Sequence, residues 1–124
     1  ERRKYPRVQI FDPISYLSLD SDGKTIHQNV AVVRDVSQTG IKMEAFVEVK
    51  SEKLSLMFFD MHRNQIEVKG KVVYCRKNES GQFSIGINLI GNEAENLRFV
   101  KALVKSYHYQ KEKSRLAISP GIQN

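Results

Sequence analysis

The chain has 124 residues, of which 40% are hydrophobic and 27% charged, and its 20 Lys and Arg outweigh 14 Asp and Glu to give a net charge of +6 and a pI of about 9.5. That length suits one domain with a core of its own, and the composition is that of an ordinary soluble globular protein. No apolar run approaches a bilayer span and no signal-peptide pattern opens the chain, while the positive charge favours anionic partners without choosing among nucleotide, nucleic acid and membrane surface. Glu1 rather than Met stands first, which leaves room for a longer parent protein.

Residues 1–7 read as an arm, because Pro6 removes a donor and disfavours helix at Tyr5. Val8 to Leu19 follows as a strand, with Val8, Ile10, Ile14 and Tyr16 at even positions. Pro13 inside it argues for a bulge or an edge. Asp20-Ser21-Asp22-Gly23 is a turn signal. Thr25 to Arg34 reads as a long strand, Asp35 to Gly40 as a turn and Ile41 to Phe46 as a strand. Val47 to Glu52 connects to Lys53–Phe59, whose Leu54, Leu56 and Phe58 share a face. After a polar turn at 60–65, Ile66 to Arg76 alternates, with Ile66, Val68, Val72 and Tyr74 on one parity. Gly70 falls on that face and suggests a bulge or a sharp bend. Lys77 to Gly81 turns, and Phe83 to Leu89 alternates again. Many short strands spaced by turns predict a small barrel or sandwich rather than an α/β fold.

Asn92 to Tyr107 changes period. Asn92 and Glu95 form a capping-box pattern, and Leu97, Val100, Val104 and Tyr107 share a stripe beside Leu103. This helix, bounded at 92–108, is expected to lie against the barrel. Residues 109–124 are polar, with Pro120 and Gly121 near the end, and read as a flexible tail.

Catalytic patterns are missing from the sequence. His27, His62 and His108 are far apart, and the lone Cys75 sits in an alternating strand, as a reduced core thiol of a cytoplasmic protein would. Neither a zinc framework, a Walker A loop nor a dinucleotide-binding glycine pattern is present. The expectation is no enzyme, no metal and no cofactor.

Two stretches carry binding chemistry instead. Arg2-Arg3-Lys4-Tyr5-Pro6-Arg7 clusters guanidinium groups, whose flat forks suit phosphate and the O6/N7 edge of guanine. Asp35-Val36-Ser37-Gln38-Thr39-Gly40 places a carboxylate, a hydroxyl and a glycine after an apolar strand. A carboxylate accepts only, so it suits the N1–H and N2–H2 edge of guanine and disfavours a generic phosphate groove. Taken singly, the first is an ordinary solvated basic tail and the second an ordinary tight turn. Together they describe a site for an anionic guanine nucleotide.

Arg3-x-x-x-Arg7 followed by Asp35-x-Ser37-x-x-Gly40 resembles the two-part signature of PilZ domains, bacterial receptors for cyclic di-GMP. The resemblance extends over roughly residues 1–108: a strand after Arg7, Ile41-Lys42-Met43-Glu44 after Gly40, and Phe83 to Leu89 leading into a helix. It implies a mainly β fold, a six-stranded antiparallel barrel of the split type with a C-terminal helix. It implies that Arg3 and Arg7 contact guanine and phosphate, that Asp35 accepts from guanine, and that Ser37 bonds guanine or phosphate. Gly40 would permit close backbone approach or a positive φ. An arginine at the place of Arg2 is associated among relatives with a self-stacked ligand pair, so two cyclic di-GMP molecules per domain are expected. Ordering of the arm on binding would then present a surface to a downstream protein or an adjacent domain, with no membrane insertion and no specific nucleic acid. The alternatives are a small basic barrel that binds nucleic-acid strands and a PilZ-like adaptor without ligand. The output pathway, oligomeric state and affinity are not written in the sequence.

Overall fold

The structure is a computed structural model that describes residues 7–117. Six strands and one helix follow in order: β1 Val8–Leu19, β2 Thr25–Val36, β3 Gly40–Ala45, β4 Lys53–Phe59, β5 Gln65–Lys77, β6 Phe83–Leu89 and α1 Glu93–Ala117. Every pairing is antiparallel, and the order β1-β2-β3-β6-β5-β4 closes on itself through β1 and β4. The expected six-stranded antiparallel barrel with a C-terminal helix is therefore present.

Three hairpins are built by one device. Asp20 Oδ1 accepts from the backbone N–H groups of Asp22 and Lys24 at 2.9 Å each. Asp60 Oδ1 does the same with His62 and Asn64, and Asn78 Oδ1 with Ser80 and Gln82. Each turn has a residue of positive φ three places after the capping side chain: Gly23 (82°), Arg63 (65°) and Gly81 (87°). Short side-chain acceptors that bond the backbone ahead of them are what make Asp and Asn turn formers.

Alternation sends one set of side chains inward. Tyr16, Val33, Met43, Leu54, Leu56 and Ile85 are fully buried inside the barrel. Pro13 pairs only with Val32 of β2, because β4 begins its pairing at Ser15, so its missing donor faces no strand. A register irregularity between Gln9 and Asp12 lies just before it, in line with the expected bulge or edge. Gly70 is paired in regular register with Leu54 and Leu89. It marks a close approach rather than a bulge, since a Cβ there would collide with the Ile87 side chain.

α1 closes one end of the barrel. Its capping box is formed: Glu95 N–H donates to Asn92 Oδ1 at 2.8 Å, and Asn92 N–H donates to Glu95 Oε1 at 3.1 Å. The helix surface that faces the core centres on Phe99 and Leu103, both fully buried, with Phe99 edge-on to Phe58 at 5.2 Å. Leu97, Val104 and Tyr107 of the expected stripe are only half-buried, because the large ring of Phe99 takes the place over the barrel end. The helix also runs nine residues beyond its expected end at 108, to Ala117. The segment 109–117, expected as flexible tail, is helical: it contains no Pro or Gly, and Arg115 bonds Glu112 one turn back at 2.6 and 2.7 Å. Among the described residues, no helix is long and apolar enough to cross a membrane.

Candidate functional site

Two strand irregularities decide which side chains reach the outer surface. In β2, Val33 points inward opposite Met43. Asp35, two residues on, would point inward too. One extra residue, Arg34, shifts the register, so Asp35 stands on the outer face beside Lys42. In β5, Val72 is opposite Ile87 and Tyr74 is opposite Gly86, with Val73 extra between them. That bulge corrects the parity read from the sequence. Tyr74 does not share the inward face of Ile66 and Val68; it lies outside, and Cys75 turns inward to pack against the core. A bulge re-aims every side chain after it, and alternation alone cannot show this.

These shifts assemble one outer row across four strands. Asp35 of β2 neighbours Lys42 of β3, Lys42 neighbours Gly86 of β6, and Gly86 neighbours Tyr74 of β5. A groove of about 390 Å3 lies over the row and is lined also by Arg7, Gly40 and Asn88. Arg7 and Asp35, 28 residues apart, meet in it. Arg7 Nε donates to Asp35 Oδ1 at 2.7 Å, and Nη2 lies 2.5 Å from the same oxygen. Both side chains are partly exposed, at 31% and 21%. Neither Oδ2 of Asp35 nor Nη1 of Arg7 is taken up among the described residues. Among the described residues, the pair thus presents an open acceptor beside an open donor.

Ser37 is placed differently. It is buried, and its hydroxyl accepts from the N–H groups of Gly40 at 3.2 Å and Thr39 at 3.3 Å, while Ser37 N–H donates to Gly40 C=O at 2.8 Å. It shapes the turn that carries Asp35 into β3. Gly40 does not adopt a positive φ. Its requirement is close approach: a Cβ would stand 3.1 Å from the Ile87 carbonyl oxygen and 3.9 Å from Arg7 Nη1. Arg2 and Arg3 lie outside the described residues. The sequence reading did not single out Lys42, Tyr74, Gly86 or Asn88. The register supplies them, and the one local signal was a glycine between two inward isoleucines, Ile85 and Ile87.

A larger cavity, about 720 Å3, opens at the other end of β1 and β2 and is lined by Tyr16, Ser18, His27 and Glu52 among others. It holds none of the motif residues, so chemistry and not volume locates this site. The groove offers guanidinium, ammonium, amide and carboxylate groups without a nucleophile poised beside a base. Such a set of groups has the chemistry to meet a ligand that is both anionic and rich in donors.

The model of the PilZ domain family matches residues 1–106. The chain belongs to the PilZ domain family. No curated protein matches it. Among solved structures, this PilZ domain is similar to the inhibitor of motility MotI/DgrA of Bacillus subtilis, with a TM-score of 0.62 and 17% identity over 91% of this chain and 53% of that one. It is also similar to the PilZ domain of YcgR from Escherichia coli, solved with c-di-GMP, with a TM-score of 0.59 and 11% identity over 93% of this chain and 98% of that one. The third is the MrkH–c-di-GMP complex of K. pneumonia, with a TM-score of 0.57 and 13% identity over 92% and 55%. The chain thus spans about half the length of MotI and MrkH. At these identities the likeness is one of fold.

Proposed function

We propose that this PilZ domain is a non-enzymatic receptor for cyclic di-GMP acting in the cytoplasm. The observation that carries the reading is the meeting of Arg7 and Asp35 in a groove on the barrel's outer face, with Arg7 Nη1 and Asp35 Oδ2 unengaged among the described residues. Family membership supports it, as do two structural neighbours solved with c-di-GMP. Asp35 accepts from the N1–H and N2–H2 edge of guanine, which adenine cannot match. Arg7 places donors on phosphate or O6/N7. Gly40 keeps the floor beside Arg7 clear, and Ser37 holds the turn and bonds the ligand with its remaining capacity.

Arg2 and Arg3 complete the charge. Cyclic di-GMP carries two phosphates, and a stacked pair carries four, so three arginines suit two ligands per domain. Binding draws residues 1–7 across the groove, and the new surface is what a downstream protein or an adjacent domain reads. Calorimetric titration with cyclic di-GMP, beside Arg7→Ala and a GMP control, tests this. Saturable binding that Arg7→Ala weakens at least tenfold supports the receptor. The absence of heat or of any Tm shift at saturating ligand overturns it.

A further inference from the structure

The row Asp35–Lys42–Gly86–Tyr74 does not stop at Tyr74. Arg76 follows two residues later on the same outer face, opposite Ser84. Its guanidinium carbon stands 4.4 Å from the centre of the Tyr74 ring. The Tyr74 ring in turn lies against Gly86, where any side chain would collide with it. A flat guanidinium is thus held on an aromatic ring, which is seated on the one residue type that leaves room for it. Arg76 is exposed and takes no part in the ion pairs among the described residues. Stacking on an aromatic face occupies the π surface of a guanidinium and leaves its in-plane donors free.

Two bulges aim the ends of this row. Arg34 turns Asp35 outward, and Val73 turns Tyr74, and with it Arg76, outward. Three strand spacings separate Asp35 from Tyr74, about 14 Å at the usual interstrand distance. A dinucleotide held at one end by Arg7 and Asp35 extends farther along this span towards Arg76 than a mononucleotide does.

We infer that Arg76, positioned by Tyr74 on Gly86, is a second recognition element of the site and takes acceptor atoms, phosphate oxygen or guanine O6/N7, of the nucleotide unit farther from Asp35. This rests on the receptor reading above. Arg76 touches ligand; Tyr74 and Gly86 are positioning residues. The consequence is selectivity for a dinucleotide over its half, since only the longer ligand gains from Arg76.

The test is titration of the 124-residue chain and its variants with cyclic di-GMP and, separately, with GMP. Arg76→Ala weakens cyclic di-GMP at least fivefold and leaves GMP affinity within twofold. Tyr74→Ala acts in the same direction, because the guanidinium loses its support. Arg76→Lys recovers only part of the loss, since an ammonium keeps the charge but not the stacked fork. Cyclic di-GMP affinity of Arg76→Ala within twofold of the unaltered chain overturns the inference and leaves the receptor reading standing. An equal loss for GMP, or full recovery by lysine, also overturns it. If the unaltered chain gives no heat with cyclic di-GMP, both fall together.

Discussion

Arg7 and Asp35 are each other's partners before any ligand arrives, and this separates binding from folding. A partly exposed ion pair contributes about 0–1 kcal/mol to stability. Removing Arg7 therefore leaves a folded barrel with a lone carboxylate in its groove, and the loss of binding can be read without a loss of structure. Asp12 has the opposite character. It lies in β1 beside the half-open apolar groove of Phe11, Met57 and Phe59, and burial pushes its carboxyl up from 3.8 to about 6. A carboxyl whose folded value is raised binds its proton more tightly in the fold than in the unfolded chain. Its stabilising contribution is present below 3.8 and is lost as pH rises through about 6. Asp12→Asn is therefore expected to raise Tm at pH 7, with the gain over the unaltered chain shrinking towards pH 4. Paired melting curves at the two pH values check this, and a gain that does not change with pH contradicts it.

At the scale of elements, the hairpins show what local chemistry dictates. The β1–β2 and β5–β6 turns place Gly at the positive-φ position, but the β4–β5 turn places Arg63 there at 65°. An L side chain in that region costs about 1 kcal/mol, set against the backbone entropy that glycine loses. Arg63→Gly is expected to stabilise by up to about 1 kcal/mol, read as a rise in the denaturation midpoint at constant m-value. A fall in the midpoint would contradict the turn's description. α1 depends on burial instead. Phe99→Ala removes the ring that meets Phe58 and is expected to cost about 3–5 kcal/mol, measured by the same titration.

Strands, turns and the helix start were legible because their signals are local: alternation, Asp and Asn followed by glycine, and an Asn92–Glu95 box. Arg7, Asp35 and Gly40, brought together in the sequence by their resemblance to a two-part motif, line one groove in the structure. Tyr74 was assigned to the wrong face because the Val73 bulge leaves no mark on a period-two pattern. Lys42 and Arg76 looked like any solvated cation until β3 and β5 were set in register with β6. The helix end was placed too early because a polar run was read as a stop, although no Pro or Gly occurs in it before Pro120.

At the scale of the whole molecule, the barrel closes through Ser15–Leu19 of β1 and Lys53–Met57 of β4, which pairs most of the backbone that an open sheet would leave as an edge. The receptor reading puts recognition on the outer face, where β2, β3, β6 and β5 present one row and Arg7, just before β1, stands at its end. A ligand that bridges Arg7 and the row ties the segment before β1 to the barrel wall. The receptor reading and the selectivity assigned to Arg76 therefore share one geometry, anchored at the Arg7–Asp35 end. The measurement that bears on this most directly is titration of the chain with cyclic di-GMP beside Arg7→Ala. The reading predicts saturable binding to the unaltered chain with two ligands per chain, and at least a tenfold loss in the variant with its Tm within a few degrees. Equal affinity in both would show that the groove beside Asp35 is not where the nucleotide binds.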